Sequence, residues 1–465
     1  MNNQSRMPLV EALQSHIRKD TVSFHVPGHK NGELAGGQAG EFLQYDVTEL
    51  TGLDDLHAPS EAIKEAQALL SDHYQTRKSY FLVNGSTVGN LAMILGVCEE
   101  GDTVFVQRNC HKSILNGLKL ANVNPVFLHQ EFDEHSATST GISQGTLEEA
   151  LKTYPDVKAL ILTYPTYYGM VYDLKSIIEV CHSHGVRVLI DEAHGAHLSI
   201  GKPFPVSALK WGADIVVQSA HKTLPAMTMG SYLHIRTDEI NSKKVELYLG
   251  MLQSSSPSYP IMGSLDYARH YIASYSNDDL DYFLWNRKDF INRLKEAGYH
   301  VIEGDDPLKI MVRLPGLTGF QLQEELEHKG IFTELADPYQ VLFVLPLLKQ
   351  DDPFPFQKTL EKMTEIRPGS KSDKPIFFKK YKNITALRFS FKEIEKKTKE
   401  WVSLEEAAGK TAGEMLTPYP PGIPLFYPGE EITEESIQEL KWLMAHGARF
   451  QGEHLLGEGK IRILL

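Results

Sequence analysis

The 465-residue sequence has only three cysteines, Cys98, Cys110 and Cys181. An odd number without paired spacing excludes a disulfide framework and suits a reducing compartment. No apolar run of about 18 residues occurs, so no membrane-spanning helix is expected. The N-terminal stretch MNNQSRMPLVEALQSHIRKD lacks the apolar core of a secretory signal, and a cytoplasmic protein is expected. Positive charge is in deficit: 47 Lys and Arg stand against 60 Asp and Glu, a formal net charge of −13. That balance argues against nucleic acid and anionic membranes as partners, and is compatible with a cationic small molecule. Internal repeats are absent as well.

What is present is an alternation. Apolar runs at 80–83, 103–106, 125–128, 159–163, 187–190 and 213–217 read as strands, and helical periodicity separates most of them. This predicts an α/β fold, a mostly parallel twisted sheet with helices on both faces, plus a smaller α+β C-terminal domain. The expected divisions are an N-terminal arm with loops at 1–60, a large domain at 61–262 and a small C-terminal part at 263–465. Within the last, residues 264–298 read as one or two long helices and 308–346 as strand, helix and strand. A basic, breaker-rich loop is expected near 366–383, and a final helix near Thr433.

Chemistry-bearing residues collect where these strands end, which is where open α/β sheets bind ligands. In NGSTVGN, Gly85 permits close backbone approach, and Ser86 and Thr87 with the helix N-terminal amides can hold a phosphate. The bland alternative is an ordinary N-cap. QRNCHKS places His111 at the next helix start, where an imidazole can lie on an aromatic ligand or simply cap. In TYPTYYG the hydroxyls of Thr166 and Tyr167 can donate to a ligand oxygen. VLIDEAHGAH sets Asp191 directly after an apolar strand, where a carboxylate needs a cationic partner. Lys222, in SAHKT, follows 31 residues later and likewise arrives at a strand end.

A phosphate cradle, a stacking imidazole, a buried Asp and a lysine together meet the requirements of pyridoxal phosphate. A helicase reading of DEAH needs an upstream phosphate loop that is absent. A metal site built from His194 and His197 with Cys110 or Asp191 would have loose spacing, and no metal is expected.

These motifs, with SFHVPGHKNG, LDDLHAP, IFTELADPYQVLFVLPL and YPPGIPLFYPGE, resemble in order those of the Orn/Lys/Arg decarboxylases. That resemblance spans residues 24–430 and implies the aspartate-aminotransferase fold (fold type I) in a short form without an N-terminal wing domain. It implies that Lys222 is the Schiff-base lysine, that Asp191 pairs with the pyridine nitrogen, that Ala193 packs below the ring and that His111 stacks above it. It further implies phosphate contacts from Ser86, Thr87, Ser219 and His221, places His194 and Thr166 among the cofactor-binding residues, and suggests a homodimer with its site at the subunit interface. Tyr164 departs from the pattern, where such sequences often carry Asn.

The expected reaction is decarboxylation of a basic amino acid, lysine or arginine before ornithine, with Lys222 or His221 returning the proton to Cα. Glu334, Asp337 and Glu430 are the candidate partners of the substrate's distal cation. The alternatives are transamination or lyase chemistry on the same cofactor, with Arg388 as a possible carboxylate binder, and a non-catalytic regulator that keeps the fold.

Overall fold

The computed structural model describes residues 3–19, 21–369, 382–418, 423–451 and 455–465. Most of the basic loop expected at 366–383, and the opening of YPPGIPLFYPGE, lie outside the described residues. Three helices come first: α1 (Pro8–Ile17), α2 (Gly37–Leu43) and α3 (Ala62–Tyr74). The alternation then begins with β1 (Lys78–Leu82), α4 (Gly85–Val97), β2 (Thr103–Gln107), α5 (Lys112–Ala121) and β3 (Asn124–Leu128). A short hairpin, β4 (Phe132–Asp133) and β5 (Thr138–Ser139), leads to α6 (Gln144–Thr153), β6 (Ala159–Thr163), α7 (Leu174–Ser183) and β7 (Arg187–Asp191). Next come α8 (Ala208–Trp211), β8 (Ile215–Gln218), α9 (Ala220–Thr223), β9 (Ser231–Ile235), α10 (Ser242–Leu252) and α11 (Tyr259–Ala273).

The chain divides into two compact units. The first comprises residues 1–98 and 187–276. Its strands lie in the order β1-β9-β8-β7, with β9 antiparallel to both neighbours and β8 parallel to β7. Three of these four strands therefore run one way. Ile215, Val216 and Val217 of β8 are fully buried, which is why this strand reads as an unbroken apolar run rather than an alternating one. Helix α4 lies close upon the strands. A Cβ added at Gly89 would come within 2.7 Å of Leu82 Cδ1 and 2.8 Å of Val217 Cγ1, so only glycine allows this approach. The N-terminal segment is tied down from α11. Asp266 accepts from the Leu9 amide at 2.9 Å and from Arg269 Nη2 at 2.6 Å, and the fully buried Arg269 also donates to the Gln4 carbonyl.

Strand β9 is absent from the set expected from the sequence. SYLHI carries an interior serine and histidine, Ser231 and His234, and both are fully buried. Polar residues satisfied by hydrogen bonds inside a sheet look, in sequence, like exposed ones.

The second unit comprises residues 99–186 and 277–465. Strands β6, β2 and β3 are mutually parallel, and β14 (Ile384–Ala386) pairs antiparallel with β3 at the edge. The helical stretch expected at 264–298 is split between α11 and α12 (Asn277–Glu296). A four-stranded antiparallel sheet follows, in the order β10 (His300–Glu303), β11 (Lys309–Arg313), β13 (Val341–Val344) and β12 (Leu335–Ala336). The strand–helix–strand reading of 308–346 corresponds to β11, α13 (Gly319–His328) and the β12–β13 pair. The last long helix, Glu434–Ala445, starts after Thr433, whose hydroxyl accepts from the Ser436 amide in a capping box. Among the described residues no helix is long and apolar enough to cross a membrane.

Candidate active site

The first unit gathers most of the expected residues around the ends of β7 and β8 and the start of α4. Asp191 closes β7 and lies in register with Val217 of the parallel neighbour β8. Four residues after β8 comes Lys222, in the single helical turn α9. Gly85 opens α4 at φ +78°, a conformation glycine adopts without strain, and this turn sets Ser86 and Thr87 in the first helical positions. Ser86 Oγ accepts from the fully buried Ser219 Oγ at 2.9 Å, so the two hydroxyls named for the phosphate stand together. Thr87 is exposed.

Asp191 is 3% exposed. Its Oδ2 accepts from Asn90 Nδ2 at 3.0 Å, whereas its Oδ1 is buried without a hydrogen-bond partner. A carboxylate oxygen is costly to bury unsatisfied. A protonated ring nitrogen is the kind of donor that would satisfy it, so the residues present fit pyridoxal phosphate. Hydroxyl and backbone N–H donors at the start of α4, which suit an anion, and an amine at Lys222 are compatible with the same ligand.

The histidines have separate duties. His221 Nδ1 lies 3.0 Å from the Gly230 carbonyl, an acceptor that assigns a proton to Nδ1. His194, 5% exposed, brings Nε2 to 3.2 Å from Lys222 Nζ. Ala193 is half-buried, and its carbonyl accepts from the Ser219 amide at 3.2 Å.

In the second unit, His111 is the N-cap of α5; its Nδ1 accepts from the Ser113 amide at 3.2 Å. The ring is exposed. Thr166 is buried, and its Oγ1 accepts from the Met170 amide at 3.1 Å within a turn. Tyr164 is 2% exposed and packs edge-to-face on Tyr172 with centroids 5.4 Å apart. Its large ring has a packing role that an asparagine could not fill.

The three acids named for a substrate cation differ. Glu334 is exposed and accepts a short hydrogen bond from the Tyr167 hydroxyl. Asp337 accepts from Tyr168 Oη at 2.7 Å and from the amides of Tyr339 and Gln340. Burial holds its carboxyl above the usual range, with those hydrogen bonds opposing. Glu430 forms a two-pronged pair with Arg108, Nε to Oε1 and Nη2 to Oε2, both 2.6 Å, and both side chains are nearly buried. Asp337 and Glu430 line one cavity of about 530 Å³, together with Arg108, Arg388 and Glu431. Arg388 itself is spent on Glu431 at 3.1 Å and on the Gly409 carbonyl at 2.9 Å.

Two residues of the site escape the sequence reading. Asn90 orients Asp191; it lies four residues after Ser86 in the same helix, hence on the same face, and that spacing is the signal that could have found it. Glu192, fully buried beside Asp191, is the second.

Family models give this geometry its context. One for the Orn/Lys/Arg decarboxylase major domain matches residues 7–297, and one for the C-terminal domain matches residues 371–452. The uncharacterized protein YaaO of Bacillus subtilis (strain 168) is 47% identical, over 98% of each chain. An arginine decarboxylase of Halalkalibacterium halodurans is 33% identical, over 97% of this chain and 96% of its own. The crystal structure of the Francisella novicida lysine decarboxylase LdcF aligns with a TM-score of 0.81 at 21% identity, covering 98% of this chain and 80% of that one.

Proposed function

The chain belongs to the Orn/Lys/Arg decarboxylase family and is an amino-acid decarboxylase acting on a basic amino acid; we propose that its substrate is arginine, with lysine next, and that its cofactor is pyridoxal 5'-phosphate. The observation that carries the cofactor assignment is the open Oδ1 of Asp191, buried at the end of β7 beside the strand that leads to Lys222. Arginine is favoured by the near-full-length similarity to an arginine decarboxylase.

Asp191 would hold the ring nitrogen protonated, with Asn90 fixing the plane of the carboxylate. Ser86, Ser219 and the amides at the start of α4 would take the phosphate, and Lys222 would be the covalent attachment point. Bound there, the cofactor supplies an electron sink for the pair left on Cα when carbon dioxide departs. The chain's own part is orientation and proton handling. Lys222 Nζ would return a proton to Cα, and His194 Nε2, 3.2 Å away, would resupply it. His221, beside Lys222 in the motif, is the second candidate; its Nδ1 lies 3.0 Å from the Gly230 carbonyl. Stacking by His111 and a ligand contact from Thr166 rest on the resemblance of their motifs. Glu334 is our first choice for the distal guanidinium, because among the described residues it accepts from a neutral phenol and is not paired with a cation. A transaminase reading loses its carboxylate binder, as Arg388 is already paired.

A cytoplasmic homodimer completes this reading. Its support is the absence of cysteine pairing in the sequence and the cluster of exposed apolar residues in the N-terminal segment, Val22, Phe24, Val26 and Leu34.

The test is product formation from arginine, lysine and ornithine by purified protein with pyridoxal 5'-phosphate, beside Lys222→Ala. Agmatine formed by the unmutated protein alone is the expected result. Absence of carbon dioxide release from all three substrates, with the cofactor bound, would sink the reaction assigned here.

A further inference from the structure

Glu192 is fully buried, adjoins Asp191, and has no part in the chemistry above. Its carboxylate is held by three neutral donors. Oε1 accepts from the Ala208 amide at 2.7 Å; Oε2 accepts from Ser207 Oγ at 2.9 Å and from Gln218 Nε2 at 2.6 Å. These donors come from the start of α8 and the end of β8. Its side chain also lies across Gly195, where an added Cβ would meet Glu192 Cγ at 2.3 Å.

Gln218 is oriented in turn by a directed chain. His234 Nε2 lies 3.1 Å from Gln218 Oε1, and Ser79 Oγ lies 2.8 Å from His234 Nδ1. Thr76 Oγ1 lies 2.7 Å from Ser79 Oγ. An amide oxygen can only accept, so His234 must donate from Nε2 and accept at Nδ1 from Ser79, which accepts from Thr76. Every link therefore points one way, toward the Glu192 carboxylate. The residues it draws together flank the site. Gln218 precedes Ser219 and Lys222, while Glu192 lies between Asp191 and Ala193.

We propose that Glu192 is a positioning residue that clamps the end of β8 and the start of α8 onto the loop after β7, fixing Asp191 relative to Ser219 and Lys222. This rests on the cofactor assignment made above. A clamp made only of donors works with the ionised acid, and burial pushes the Glu192 carboxyl up to about 7. Two titratable groups near it keep one state across this range. Burial holds His234 neutral down to about 3, and burial followed by the Glu192 charge keeps the Tyr74 phenol protonated.

The experiment titrates pyridoxal 5'-phosphate into full-length apo-protein, unmutated and as Glu192→Gln, Glu192→Asp and Ser207→Ala, near pH 8 and near pH 6. At the higher pH, Glu192→Gln should bind about tenfold more weakly, the loss of one charge-assisted hydrogen bond. That gap should close toward pH 6, where the unmutated acid is itself protonated. Glu192→Asp should recover part of the loss, and Ser207→Ala should weaken binding by about threefold. Equal affinity of the folded Gln variant and the unmutated protein at both pH values would overturn the proposal, as would a gap that does not change with pH. Should Glu192→Gln fail to fold, an unchanged affinity in Ser207→Ala overturns it. The titration needs no turnover. Glu192-dependent binding without carbon dioxide release leaves this inference standing and removes the reaction, whereas an unmutated protein that binds no cofactor removes both.

Discussion

Buried acids are treated in opposite ways at two places in the molecule. At the end of β7, Asp191 keeps one buried oxygen open. In the second unit, Glu430 is closed by the guanidinium of Arg108 and Asp337 by a phenol, an amide side chain and two backbone amides. The closed acids are finished by their own chain. An open buried valence costs free energy in the isolated chain, and it is intelligible where a ligand completes it. Burial alone does not identify a working carboxylate; the state of its lone pairs does.

The largest expected effect lies on the open side of this comparison. Asp191→Ala should lower the decarboxylation rate by about hundredfold or more, as expected for a preorganised charge facing the reacting system, while the thermal melt stays cooperative. A variant retaining near-normal turnover would make Asp191 a closed acid like the others.

Next comes the closed side. Glu430→Gln leaves the Arg108 guanidinium buried without its counter-charge and should destabilise the fold by about 3–5 kcal/mol in denaturant titrations. KM for the folded fraction should be nearly unchanged. A large rise in KM without loss of stability would instead restore Glu430 to the substrate.

Glu192 sharpens the comparison through pH. Its carboxyl is raised from the ordinary 4.5 to about 7, mainly by burial. The folded state therefore keeps a proton that the unfolded chain releases. The resulting stabilisation, about 3 kcal/mol, is complete below the unfolded value and is lost as pH rises through about 7. Chemical unfolding across that window should show the decline in the unmutated protein and a flatter profile in Glu192→Gln.

The smallest effect is expected at the surface. Glu334→Gln should raise KM for arginine by about fivefold with little change in melting temperature, since an exposed carboxylate contributes about 1 kcal/mol at most. An unchanged KM would remove Glu334 from the substrate's path.

Much of the strand–helix alternation was legible because buried parallel strands are written as continuous apolar runs; β6 and β8 stand within two residues of their expected places. Lys222, Asp191 and Ser86 were legible as polar residues placed abruptly at the ends of such runs. β9 was hidden by its buried Ser231 and His234. The capping of α5 by His111, the Arg108–Glu430 pair and the packing of Tyr164 on Tyr172 each join or choose among groups in ways that motif spacing does not specify.

By itself, then, the sequence determined the order of strands and helices and the kinds of chemical group that follow them, because hydrophobic periodicity and polar interruptions are local properties of the chain. Only the tertiary structure decided which acid has an open oxygen, which histidine faces Lys222, and that Glu192 gathers three donors. Those outcomes depend on hydrogen-bond partners far away in sequence, such as Ser79 and His234, 155 residues apart, and no local pattern carries them.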